Sequence, residues 1–304
     1  MDDQRARPRV GRPPVHRQRN PRRRSRVPRQ GRRSRRSGRL RGGRRHGPRA
    51  CRRGLSVRVV SLVPSLTETL FDLGLGLDEV VGRTPWCIHP AAAHAVPVVG
   101  GTKTPNLNKI LSARADVVVL DREENPKAVY DALMEAGVTV VVSTVEHPSE
   151  VPALLRELGE AVGREDDGER LAEATEAALA RQPSAEAPGP RVAPMIWHEP
   201  LMAVGPRRYA GALLEAMGWT VPDLEPEGNG YPVVTPEALV EHRIEGLLLS
   251  SEPHAFALEE GEAIADAVEA LGAPRPWCRL IDGEALTWFG SRTHRSLAGT
   301  ELQP

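Results

Sequence analysis

Apolar residues recur along this chain in two alternating patterns. Short continuous runs such as VVSL, VVVL, VTVVV and LLLS have the length of buried strands. Stretches with three- and four-residue spacing have the period of helices. RVVSLVPSLTETLFDLG (58–74) reads as a strand, a Pro-Ser turn and an amphipathic helix closed by glycine. Ser65 is the expected N-cap, with Glu68 at the capping-box position. RVAPMIWHEPLMAVGPRRYAGALLEAMG (191–218) repeats that plan. Two further segments, 106–125 and 235–254, align without a gap. Ile110 falls on Leu239, Arg114 on Arg243, Asp116 on Glu245, and VVVL on LLLS. Each is followed by a helix ending in glycine, at 137 and 272, and another apolar run. Paired segments in the same order predict two lobes of one plan. Between them, 148–182 has helical spacing at Leu154, Leu155 and Leu158, a break at Asp166-Asp167-Gly168, and renewed spacing from Leu171.

The expected fold is α/β, with two similar, mostly parallel lobes. The predicted divisions are a segment 1–56, a first lobe 57–147, a helical linker 148–185 and a second lobe 186–304. Charge separates the first of these from the rest. Of 41 basic and 40 acidic residues, 22 arginines and 2 aspartates lie in 1–56. That leaves 19 basic and 38 acidic residues, a net of −19, for the remainder. Residues 1–56 have almost nothing to bury and are expected to be disordered. Two readings fit: a polybasic arm on nucleic acid, or GC-rich DNA translated out of frame with a start near Val57. The second is preferred, because no aromatic residue interleaves the arginines.

Composition excludes several classes. Three cysteines (Cys51, Cys87, Cys278) show no disulfide framework or metal spacing. No apolar run approaches a membrane span, and the N-terminus lacks the apolar core of a secretory signal. The chain as written is therefore expected in the cytoplasm. His89, His94, His198 and His254 have no ligand spacing, so no metal-ligating residue is assigned. Cys87 beside His89 is too close in sequence to imply a nucleophile–base pair.

Candidate binding chemistry gathers at predicted strand ends, where ligands sit in such sheets. Only 11 aromatic residues exist, and Trp86, Trp197, Trp288 and Phe289 all fall in those loops. Flat apolar faces with polar handles suit a large planar ligand. Ser65, Thr102, Asn125 and Arg292 supply polar groups to orient it, and Glu123 is expected to line the same cleft.

These residues carry a resemblance. RVVSLVPSLTETLFDLGLGLDEVVGRTPWCIHP, followed by VPVVGGTKTPNLNKILSARADVVVLDREEN, resembles the helical-backbone metal receptors. These are the class III solute-binding proteins of cobalamin, haem and iron–siderophore ABC importers, and the cobalamin-binding members are most similar. The likeness spans about 57–298. It implies two α/β lobes joined by a single long helix, no catalysis, and no covalent cofactor. It also implies a monomer holding a cobalamin-like or other metal chelate between the lobes, with an ABC permease as partner. Trp86 and the Trp288-Phe289 pair match ligand contacts of the family, and Pro64-Ser65 its first-strand loop. Glu237 matches a permease-docking glutamate, whereas its repeat mate is Asn108. The family location is extracytoplasmic. The alternative is a cytoplasmic protein that handles or senses such a chelate on the same scaffold, or acts on it enzymatically.

Overall fold

The computed structural model describes residues 56–182, 188–299 and 302. The reading of 1–56 therefore falls almost wholly outside the described residues. The first lobe contains β1 (Val59–Ser61), α1 (Pro64–Asp72), β2 (Val80–Gly82), α2 (Leu107–Ser112), β3 (Val117–Asp121), α3 (Lys127–Glu135) and β4 (Thr139–Ser143). Its strands lie in the order β2-β1-β3-β4, all parallel. Every residue of β3 is buried, as a central strand covered on both faces requires. Two helices follow, α4 (Val151–Val162) and α5 (Glu165–Ala180).

The second lobe runs through β5 (Val192–Trp197), β6 (Met202–Ala203), α6 (Tyr209–Ala216), α7 (Pro236–Glu241), β7 (Gly246–Ser250), α8 (Leu258–Ala270), β8 (Trp277–Ile281), α9 (Gly283–Thr287) and α10 (Thr293–Ala298). Its order is β6-β5-β7-β8, with only β6 antiparallel.

The internal repeat reaches down to single residues. Arg114 and Arg243, aligned by sequence, adopt the left-handed conformation at φ 50° and 53°. Asp116 and Glu245, also aligned, each accept from a backbone N–H just before the first strand of their lobe, Arg58 at 3.0 Å and Arg191 at 3.2 Å. The same two arginines donate to the carbonyls of Ala113 and His242. Asn106 and Thr235 cap α2 and α7 through equivalent bonds to the residue three positions on.

Two sequence-based expectations about helices change. α1 begins at Pro64, with Val63 as N-cap and no side-chain cap. Proline suits the first helical position because it has no N–H to leave unpaired. Ser65 therefore lies inside the helix, and Glu68 is committed to Arg292 and Arg295 instead. Within the linker, α4 and α5 form a helical hairpin whose break lies earlier than Asp166. The break falls at Gly163, whose left-handed conformation (φ 71°, ψ 39°) ends α4. Asp166 and Asp167 occupy the first turn of α5, where the positive end of the helix favours carboxylates.

Gly168 is inside α5, opposite Gly159 of α4. A Cβ on Gly168 would stand 2.8 Å from the Leu155 carbonyl oxygen and 3.1 Å from the Gly159 Cα. The two glycines let the helix backbones touch.

α5 makes the crossing between lobes. Near its start Arg170 donates to the Asp72 carbonyl at the end of α1. Just beyond its end Gln182 donates to the Leu297 carbonyl in α10 at 2.8 Å. At 1.5 Å per residue the helix spans about 24 Å. The segment before α10 then returns to the first lobe, where the Ser291 N–H donates to Thr69 Oγ1 at 3.0 Å. Arg292 pairs with Glu68 at 2.9 Å, and Arg295 with Asp72 at 3.2 Å. One hydrophobic core runs continuously from the first sheet through α4 and α5 into the second, from Val59 and Leu66 through Leu155 and Leu158 to Leu213 and Leu248. Breaking such a core to separate the lobes would expose apolar surface at about 25 cal/mol per Å2. The hinge side is therefore stiff.

Candidate functional site

In both sheets the chain leaves the central pair of strands in opposite directions, and the crevice this creates opens at their carboxyl ends. Loops after β1, β2, β3 and β4 face the end of β5, the segments after β6, α6 and β7, and the turn after α9. They enclose a cavity of about 880 Å3. That lies near the upper end of the roughly 300–1,000 Å3 usual for small-molecule sites.

Pro64, Ser65, Trp86, Thr102, Glu123, Trp288 and Phe289 are brought together on its wall. Trp86 is 64% exposed and offers an open indole face. Its loop is rooted by the next residue. Cys87 is fully buried, and its Sγ accepts from Thr67 at 2.9 Å and lies 3.1 Å from Thr84 Oγ1. This cysteine is an anchor, not a nucleophile.

Trp288 is different, at 8% exposed. Its indole N–H donates to Glu252 Oε1 at 2.7 Å, the Arg292 guanidinium lies 4.9 Å from its ring centre, and His89 meets it edge-on. Only part of the ring reaches the cavity, so the open aromatic face belongs to Trp86. Phe289 packs edge-on against Tyr209.

Three predicted contacts are not on the wall. Asn125 is buried and serves as a clamp. Its Oδ1 accepts from the Asp121 N–H at 2.8 Å, and its Nδ2 donates to the Leu62 and Thr102 carbonyls. It has no donor left for a ligand. Arg292 sits behind Trp288, paired with Glu68 and Glu284. Trp197 turns out of the cleft and donates to the Glu199 carbonyl. Successive side chains of a strand point to opposite faces, and Ile196 takes the cavity side.

The predicted contacts did not include Arg208, Tyr231 or Glu252, which also line the cavity. Arg208, in the second lobe, reaches across to Glu123 and to Glu146 at 3.2 Å, and lies over the Tyr231 ring. The Tyr231 hydroxyl donates to Glu123 Oε2 at 2.9 Å. Glu123 is therefore a cross-cleft tie. It is aimed by Asp121, whose Oδ1 accepts from the backbone N–H of residues 123 and 124. Burial, then the nearby Glu123, pushes the Tyr231 phenol well above its usual range. Burial also raises the Glu252 carboxyl, against the lowering effect of donors Thr287 and Trp288. Only two features of the sequence marked these residues: a tyrosine in a Gly-Asn-Gly turn, and acids or arginines at strand ends.

The polar wall has both signs, and its cations are already engaged. Arg122 pairs with Glu146 at 2.5 Å, Lys103 lies 3.7 Å from Glu124, and Arg208 holds Glu123. No histidine, cysteine or methionine lines the cavity among the described residues.

A family model described as periplasmic binding protein matches residues 59–270. A vitamin B12-binding protein of Pectobacterium carotovorum is 28% identical over 118 residues. That match covers 39% of this chain and 42% of the relative. An uncharacterized ABC transporter substrate-binding lipoprotein, YvrC of Bacillus subtilis, is 38% identical over 118 residues, covering 38% of this chain and 37% of its own. The chain thus matches less than half the length of these relatives. Among solved structures, the periplasmic vitamin B12-binding protein of Vibrio cholerae aligns with TM-score 0.64 and 18% identity. The alignment covers 79% of this chain and 93% of that one. A periplasmic heme-binding protein from Pseudomonas aeruginosa aligns at TM-score 0.65 and 24% identity, over 80% and 91%. At these identities the likeness speaks for the two-lobed fold alone.

Proposed function

The chain belongs to the periplasmic binding protein family, and on that premise we propose that it holds a cobalamin-like corrinoid between its lobes for an ABC importer. It is a binding protein and not an enzyme. The observation that carries the ligand class is the cavity wall: one open indole face, paired cations, and no histidine, cysteine or methionine among its lining residues. Haem is ordinarily held by an axial His, Cys, Met or Tyr. Tyr231 is the candidate on this wall, and burial, which raises its pKa, opposes the phenolate form that iron would take. Haem carboxylates and anionic siderophores would also need free cations, which this wall has already spent on glutamates. A corrinoid brings its metal fully chelated and a rim of neutral amides, which suits alternating donors and acceptors.

Calorimetric titration of the protein with cyanocobalamin, haemin and a ferric siderophore tests this. Cyanocobalamin should bind one to one and at least about tenfold more tightly than the others, a gap of about 1.4 kcal/mol. Tighter haemin binding would transfer the cleft to haem, and no binding by any of the three would remove the transport role.

Glu237 is proposed as a permease contact on the second lobe. It is exposed in the first turn of α7, and its backbone N–H and Thr235 hold the carboxyl below the usual carboxylate range. It stays ionised at neutral pH and can pair with an arginine. Asn108, at the equivalent place on α2, is exposed but uncharged. Glu237→Ala should weaken capture by permease-bearing vesicles and leave corrinoid affinity unchanged; undiminished capture would rule the residue out. No helix among the described residues is long and apolar enough to cross a membrane. An extracytoplasmic location is part of this proposal.

A further inference from the structure

His198, His254 and Glu260 converge on the second lobe, beyond the ends of its central strands, and none of the three lines the cleft. They come from three separate places in the fold. His198 follows β5, His254 follows β7, and Glu260 stands in the first turn of α8. Glu260 Oε1 lies 3.0 Å from His198 Nδ1 and 3.0 Å from His254 Nε2. The two imidazoles are stacked, 5.5 Å apart and 23° from parallel. One ligand atom from each residue lies within 4.8 Å of the others. Among the described residues no other group of three His, Cys, Asp or Glu side chains comes this close.

We propose that His198, His254 and Glu260 bind one divalent transition-metal ion of the zinc type, in a site separate from the ligand cleft. A four-coordinate ion sits about 2.0–2.1 Å from each imidazole nitrogen, which places its ligands roughly 3.3 Å apart. The two separations to Glu260 are already near that spacing and the third is within 4.8 Å, so small rotations collect them. Two imidazoles and one carboxylate, with no thiolate, favour ions such as Zn2+, Ni2+ and Cu2+. Calcium and magnesium prefer oxygen-only sets.

The supporting contacts are those a ligand set needs. The Ala257 N–H donates to Glu260 Oε2 at 2.7 Å and orients the carboxylate. The His254 N–H donates to the Ile196 carbonyl, and the Phe256 N–H to the Ser250 carbonyl, so the loop bearing His254 is tied at both ends. Phe256 stands edge-on to His254 at 4.7 Å and to His198 at 6.1 Å, and Trp197 meets His254 at 6.2 Å. These rings wall one side. The other side is open to an ion, since the three side chains are 39%, 30% and 25% exposed. The same loop carries Glu252 and Pro253 on the cleft wall. An ion here would brace that wall from behind, which also gives Trp197 a place in the fold.

The full chain, stripped with chelator, is titrated with zinc chloride by calorimetry. One equivalent should bind, and His198→Ala and His254→Ala should each weaken it by at least about tenfold. His147→Ala and Cys278→Ser, which lie elsewhere, should leave it unchanged. Cobalt in place of zinc should give visible absorption bands that vanish in the two histidine variants. If His254→Ala does not fold, the more exposed His198→Ala decides. Failure of the wild-type chain to take up one equivalent overturns the site, and so does uptake that survives the histidine substitutions. Neither result touches the corrinoid reading, which is measured at the cleft with cyanocobalamin.

Discussion

Trp86→Ala should weaken cyanocobalamin binding by roughly 30-fold, a loss of about 2 kcal/mol. The indole is 64% exposed at the cavity, so its face is free to be covered by a ligand. Covering about 100 Å2 of apolar surface at 25 cal/mol per Å2 gives about 2.5 kcal/mol, from which ordering costs are subtracted. Stability should scarcely change, because Cys87 and not Trp86 roots the loop. Trp197→Ala is the matched control. It removes an indole of the same size from outside the cavity, and affinity should stay as it was. Trp288→Ala should act on folding as well as binding. It strips one of the two donors from the half-buried Glu252 carboxylate, leaving Thr287, and a hydrogen bond to a charged group contributes about 1.5–3 kcal/mol. Isothermal titration of the three variants separates these outcomes. Equal losses for Trp86→Ala and Trp197→Ala would mean that the open indole face is not where ligand binds.

The second large effect is expected at Gly168. Gly168→Val should destabilise the protein by about 3 kcal/mol, measured by denaturant unfolding. On a free helix surface, replacing glycine by a better helix former stabilises by up to about 1 kcal/mol. Here the new Cβ would meet backbone on the facing helix, the Leu155 carbonyl oxygen at 2.8 Å and the Gly159 Cα at 3.1 Å. Backbone cannot rotate aside as a long side chain can, so α4 and α5 must part. Because α5 also bridges Asp72 to Leu297, the strain would reach the angle between lobes. Corrinoid affinity should therefore fall in the same variant. Gly168→Ala should show the smaller cost of the pair. An unchanged unfolding midpoint in Gly168→Val would mean that the helices do not need this close approach.

Much of the architecture was legible because strands buried on both faces must be apolar throughout, and helices must repeat near every 3.6 residues. VVVL and LLLS became β3 and β7, and Arg114 and Arg243 became matching left-handed turns. The helical hairpin was legible as two periods with an interruption, but the interruption was misplaced. Asp-Asp-Gly resembles a loop in composition, yet two acids suit a helix start and a glycine suits a helix crossing. The hydrophobic pattern indicated two helices, and the one that crosses between the lobes is α5.

The candidate site was legible to the resolution of a loop. Pro64, Ser65, Trp86, Thr102, Glu123, Trp288 and Phe289 do share a wall. What no linear pattern contains is which way a side chain turns. Ile196 and Trp197 are neighbours in β5, and alternation sends one into the cleft and the other toward His254. Asn125 and Arg292 have ligand-like chemistry, but the fold has used their hydrogen bonds already.

By itself, then, the chain's order of residues determined two α/β lobes of one plan and the loops where their binding chemistry gathers, since burial periodicity is a local property. Only the tertiary structure decided which indole stays open and that Arg208 and Tyr231 reach across to Glu123. It alone brought His198, His254 and Glu260 into one cluster. Those outcomes depend on contacts between residues far apart in the chain, 108 positions for Tyr231 and Glu123, and such contacts exist only once the core has closed.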